Sequence, residues 1–72
     1  MPRLPKVSGA DLVKALERKG YVQVRTKGSH VRLYPPGGTS YKKVTVPLHK
    51  EIKPGTLSGI MRDTGLILAD MQ

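Results

Sequence analysis

"YVQVRTKGSHVRLY", residues 21–34, decides the fold. Its two halves alternate in polarity, as half-buried strands do. Val22, Val24 and Thr26 fall on one face of the first half, and Gln23, Arg25 and Lys27 on the other. In the second half Val31 and Leu33 point one way, and His30, Arg32 and Tyr34 the other. Gly28 and Ser29 between them fit a two-residue hairpin turn with glycine first. The register that this turn implies sets Lys27 against His30, Arg25 against Arg32 and Gln23 against Tyr34. All six side chains then share the polar face.

Working outward, Ser8-Gly-Ala-Asp11 is a capping-box pattern, with Val7 and Leu12 placed for a hydrophobic staple. Leu12, Val13 and Leu16 recur at helical spacing, and Arg18 and Lys19 suit the negative end of the helix dipole. Gly20 is placed for a left-handed cap, with Tyr21 packing back on Leu16. A helix from Gly9 to about Lys19 follows. After the hairpin, "PPGGTS" (35–40) breaks the alternation and predicts a longer loop. "KKVTVP" (42–47) predicts a third strand, with Val44 and Val46 inward, Lys43 and Thr45 outward, and Pro47 at its end. Pro54 is a good first residue for a second helix, although Lys53 is a poor cap. Leu57, Ile60 and Met61 form that helix's stripe, Gly65 caps it and Leu66 can pack on Met61. The tail "ILADMQ" is expected to fray, with Ile67 and Leu68 as the residues able to dock.

The order helix, strand, strand, strand, helix predicts an α+β domain. A three-stranded antiparallel meander has one apolar face, and two amphipathic helices must bury their stripes. The simplest solution puts both helices on that face and leaves the polar face to water. The chain has 72 residues. That length predicts a single domain (1–72, core about 7–66), since so short a chain buries only about 60% of its unfolded surface. With three Tyr and neither Phe nor Trp, the core must be aliphatic. The absence of cysteine excludes disulfide scaffolds and thiolate zinc sites. "MPRLPKVSG" contains no apolar run of leader length, and no stretch approaches a membrane span. A soluble cytoplasmic protein, with no membrane partner, is expected.

Charge narrows the partners. Thirteen Lys and Arg stand against five Asp and Glu, a net +8. Such a field concentrates polyanions. Between Tyr21 and Lys53 there are seven basic residues and one acid, Glu51, which points to nucleic acid. Like charges directly opposite on a sheet destabilise it, so Arg25 facing Arg32 makes sense if an anion lies between them. Phosphate suits the arginine fork. A solvated face whose long side chains splay apart fits the same pattern.

His30 beside the turn has a plain reading as one more polar surface residue. It also has a chemical one. An imidazole can move protons where phosphate is bound, and Lys27 with Arg32 can stabilise the charge that builds up at phosphorus. RNA carries its own nucleophile, the 2′-hydroxyl, so a base and a charge clamp suffice for cleavage. The five carboxylates, Asp11, Glu17, Glu51, Asp63 and Asp70, are scattered along the chain. No pair suggests a two-metal site, and no metal or cofactor is expected. His49, between the third strand and the second helix, reads as a loop or cap residue, with a second catalytic histidine as the minority reading.

"SGADLVKALERKGY" (8–21), "RTKGSHVRLY" (25–34) and "VTVPLHKEIKPGTLSGIMRDTGL" (44–66), in that order and spacing, resemble the HicA toxins of bacterial and archaeal toxin–antitoxin pairs. No single piece is specific, but the ordered set is, and it spans nearly the whole chain. The resemblance implies a fold like the double-stranded RNA-binding domain. It implies the toxin of a type II pair, a metal-independent endoribonuclease (mRNA interferase) that cleaves messenger RNA and halts translation. It carries the catalytic role to His30, within the Gly28-Ser29-His30 motif, and none to His49. It implies a HicB-type antitoxin that binds and blocks the toxin. The chain runs only a few residues past Leu66, where many relatives continue, and this bears on packing at the helix end rather than on the site. With His30 as catalytic residue, RNA contacts are expected from Arg25, Lys27, Gly28, Ser29, Arg32 and Lys43. The alternatives are a non-catalytic module that reads duplex RNA by shape, and a small ribosome-associated or regulatory protein whose charge is merely electrostatic.

Overall fold

The structure, a computed structural model, describes residues 6–71. Met1–Pro5, part of the stretch without leader character, and Gln72 lie outside the described residues. The element order is α1 (Gly9–Arg18), β1 (Val22–Lys27), β2 (His30–Tyr34), β3 (Val44–Pro47), α2 (Pro54–Thr64) and a short 3-10 turn at Leu68–Met71. The strands form one antiparallel sheet in the order β1-β2-β3. This is the expected α-β-β-β-α domain, consistent with a fold like the double-stranded RNA-binding domain.

Local chemistry sets the ends of α1. The Asp11 amide donates to Ser8 Oγ at 3.1 Å, which satisfies one of the free amides of the first turn. At the other end Gly20 takes φ +102°. Its amide donates to the Glu17 carbonyl and the Tyr21 amide to the Leu16 carbonyl, both at 3.0 Å. These two bonds form a Schellman cap. They turn the chain directly into β1 and bury Tyr21, whose hydroxyl donates to the Lys42 carbonyl at 2.7 Å. The N-cap of α2, Lys53, makes no side-chain capping bond, and Gly65 ends that helix at φ +70°.

Inward residues of β2 and β3 (Val31, Leu33, Val44, Val46) meet Leu12, Leu16, Leu57 and Ile60 of the helices in one aliphatic cluster. Val7, Ile52 and Leu66 close its margins, with Met61 packed against it. Thr64 is buried too. Its hydroxyl donates to the Ile60 carbonyl at 2.7 Å and accepts from the Leu66 amide at 3.3 Å, so its polarity is met inside the core.

Two expectations fail. Gln23 does not face Tyr34. A bulge between Gln23 and Arg25 pairs Gln23 with Leu33 and Val22 with Tyr34. One extra residue reverses the sidedness of everything before it, because side chains alternate with period two. Val22 and Val24 are therefore 60% and 50% exposed instead of facing the core. Gln23 turns to the helix side, where its amide donates to Glu17 Oε2 at 3.3 Å. Beyond the bulge the expected pairs hold, Arg25 with Arg32 and Lys27 with His30. The tail, expected to fray, instead forms its 3-10 turn against α1. Asp70 Oδ2 accepts from the Ile67 amide at 2.9 Å and pairs with Lys19 Nζ at 3.3 Å, while Arg18 donates to the Asp70 carbonyl.

A cationic hollow on the open sheet face as candidate functional site

The hairpin turn positions the site. Gly28 takes φ +59°, and no non-glycine residue among those described has positive φ. That is the signature of a turn with glycine in its first position, which glycine adopts without a steric penalty. The turn is tied down from the far side of the sheet, where the Leu48 amide donates to the Ser29 carbonyl at 2.6 Å. The segment after β3 is in turn stitched to the start of α1. The Gly9 amide donates to the His49 carbonyl and the Ile52 amide to the Val7 carbonyl, both at 2.9 Å. Gly9 is needed there because a Cβ would stand 2.7 Å from the Leu48 Cα. His30 thus begins a central strand held by neighbours on both sides, Lys27 of β1 and Pro47 of β3.

Cross-strand pairing arranges the outer face in rows. His30 lies between Lys27 and Pro47, and Arg32 between Arg25 and Thr45. Arg25, Lys27, His30, Arg32 and Thr45 line one open hollow of about 230 Å³. Neither ion pair among the described residues, Lys19–Asp70 or Arg62–Asp63, involves a cation of this hollow. Its positive charge is left facing solvent. Among the described residues no group of three or more His, Asp or Glu gathers closely enough to hold a metal ion.

Four of the residues singled out in sequence, Arg25, Lys27, His30 and Arg32, therefore meet in one place. Gly28 and Ser29 shape the turn without lining the hollow. Lys43 stands apart from it, with its ammonium 5.7 Å from the centre of the Tyr34 ring. His49 does not line the hollow either, and its backbone carbonyl serves the loop closure to Gly9. Thr45 was not among the candidates. The alternation of "KKVTVP" already turned it outward, but its place beside Arg32 depends on the β2–β3 register, which the loop at 35–43 conceals.

The family model described as "HicA toxin of bacterial toxin-antitoxin" matches residues 9–66. The chain belongs to that family. It is the toxin of a toxin–antitoxin system, and an antitoxin is its partner. No curated protein and no solved structure matches the chain. Among the described residues no helix of this HicA-family toxin is long and apolar enough to cross a membrane.

Proposed function

We propose that this toxin is a metal-independent endoribonuclease that cuts messenger RNA on the open sheet face, with His30 as its catalytic residue. The observation that carries the reading is the convergence of one imidazole with Arg25, Lys27, Arg32 and Thr45 around a single solvent-facing hollow. A phosphodiester placed there meets cations on two sides. Arg25 and Arg32, paired across the strands, hold its non-bridging oxygens and offset the charge that grows on them. The His30 imidazole takes the proton of the adjacent 2′-hydroxyl. The 2′-oxygen attacks phosphorus, the bond to the 5′-oxygen breaks, and the leaving oxygen takes a proton from the imidazolium or from water. The products are a 2′,3′-cyclic phosphate and a 5′-hydroxyl. Thr45, opposite Arg32, contributes a neutral donor to the same phosphate.

The proposed inhibitor is a HicB-type antitoxin that lays an acidic surface over the hollow. A carboxylate reaching Arg25 or Arg32 makes a charge-assisted contact whose loss speeds dissociation. Hydrogen exchange of the complex should protect His30–Arg32. Protection confined to the helix face, with the hollow open, would indicate inhibition by conformational change instead.

The internal-attack step is tested with an RNA bearing one 2′-deoxy residue at the scissile position. That substrate should survive while the unmodified strand is cut. Equal cleavage of both would exclude the 2′-hydroxyl as nucleophile. Binding without any cleavage of either would favour the duplex-binding module.

A further inference from the structure

The outer sheet face does not stop at the hollow. One row further on, Tyr34 lies opposite Val22, and the Lys43 ammonium stands 5.7 Å from the ring centre. Tyr34 is 42% exposed and Val22 60%. Neither is needed by the core here, because the adjacent Leu33 is fully buried and anchors this end of β2. The bulge before Arg25 is what turns Val22 outward beside the ring. A strand advances about 3.4 Å per residue, so Tyr34 lies roughly 13–14 Å along β2 from His30, with the Arg25–Arg32 row midway.

We propose that Tyr34 is a stacking platform for one nucleobase of a single-stranded RNA, and that through it this face selects unpaired RNA over duplex. The proposal rests on the ribonuclease reading of the same face and extends it to the substrate's conformation. A strand laid along β2 puts its reacting phosphate between His30 and the arginine pair and an unstacked base of the same strand on the ring. Every base has a π-face to offer, but in a duplex those faces are covered by neighbouring pairs. Recognition of duplex RNA by shape uses phosphates and 2′-hydroxyls and needs no exposed aromatic ring. Lys43 fits the single-strand reading as well. Its ammonium holds the ring's electron-rich face in the free protein and can move to the adjoining phosphate when a base arrives. The continuity of ring and cations along one face favours a polyanion with flat apolar groups over a protein surface.

The test uses a 2′-fluoro RNA oligonucleotide, which lacks the attacking hydroxyl and stays intact, with 2-aminopurine placed at each position in turn. Wild type, Tyr34→Phe and Tyr34→Ala are titrated, and circular dichroism checks the fold of each. Wild type and Tyr34→Phe should quench the fluorophore strongly at one position, and Tyr34→Ala should not. Tyr34→Ala should weaken single-strand binding roughly 5- to 150-fold, the range of one base–aromatic stack, with the salt slope unchanged because no phosphate contact is lost. Its affinity for a blunt duplex of the same sequence should stay within about twofold of wild type, since no base is free to stack there. If Tyr34→Ala binds the single strand as well as wild type, or weakens single strand and duplex alike, the platform is wrong while the ribonuclease reading stands. If wild type binds neither form, both fall.

Discussion

Replacing Arg32 by Gln should weaken RNA binding and strengthen the fold at the same time. Arg32 faces Arg25 directly across the β1–β2 ladder, and both line the hollow with Lys27. A like-charge pair so placed costs about 0.2–1 kcal/mol. Glutamine keeps much of the stem and removes the charge. For a domain of this size about 1 kcal/mol corresponds to about 4–8 °C, so Tm should rise by about 1–8 °C at low ionic strength. The gain should vanish near 1 M salt, where the screening length falls to about 3 Å. Binding should move the other way. Loss of a hydrogen bond to a charged group, at the low end of about 1.5–3 kcal/mol, weakens affinity roughly tenfold. Each phosphate neutralised on a single strand contributes about 0.7 to the slope of log affinity against log salt. Three cations in the hollow then give a slope near 2, or roughly a 20-fold loss between 50 and 200 mM salt, and the variant roughly sevenfold. Fluorescence anisotropy of an uncleavable labelled RNA across that salt range, beside thermal melts of the free proteins, measures both. Unchanged affinity and slope would place the RNA elsewhere. A lower Tm at low salt would refute the repulsion argument.

Other perturbations probe what holds the site. Gly9→Ala should destabilise by about 1–3 kcal/mol in urea titration, because its Cβ would press on the backbone of Pro47 and Leu48, which cannot yield as a flexible side chain would. Tyr21→Phe should cost about 0.5–1.5 kcal/mol by removing the part-buried hydrogen bond from its hydroxyl to the Lys42 carbonyl. Burial, then the charge of Asp63 and the Tyr41 hydroxyl, pushes the Tyr21 phenol above 10.0. The wild type's contribution there is complete below pH 10.0 and is lost as pH rises through the folded value, so melts in alkali should fall more steeply for wild type than for Tyr21→Phe. Asp70 is held below 3.8 by the Ile67 amide first, which outweighs the opposing effect of burial, with Lys19 and the charge of Arg18 lowering it further. Its contribution is complete above pH 3.8 and is lost as pH falls through the folded value, so Asp70→Asn should flatten the acid limb of Tm against pH.

The sequence was legible where a residue's own chemistry fixes the backbone. Ser8, Gly20, Gly28 and Gly65 stand where capping and turn geometry demand them, and β2 and α1 lie where their patterns put them. Arg25, Lys27, His30 and Arg32 could be grouped because a two-residue turn fixes the register next to it. Legibility fell with distance from the turn. The bulge before Arg25 leaves no mark in an alternation as regular as Val-Gln-Val-Arg-Thr-Lys. The inward residues of β2 and β3 carry the sheet's share of the core, and the edge strand β1 leaves its valines exposed. Thr45 escaped for a similar reason, since nothing between Pro35 and Lys43 sets which residue of β3 meets Arg32. The tail's docking depends on Asp70 finding Lys19 and Arg18 some fifty residues earlier, a contact that local pattern does not encode.

The central claim is that His30 acts chemically on RNA rather than only holding it. The direct measurement incubates end-labelled RNA with purified wild type and His30→Ala in excess EDTA, resolves the fragments and assigns their termini. Circular dichroism of the variant runs alongside. His30 is exposed and fills no core space, so the variant should keep its fold. Wild type should cut in the presence of EDTA and leave 2′,3′-cyclic phosphate ends, and folded His30→Ala should leave the RNA intact. Cleavage by folded His30→Ala at the wild-type rate, or complete loss of wild-type cleavage on chelation, would contradict the account.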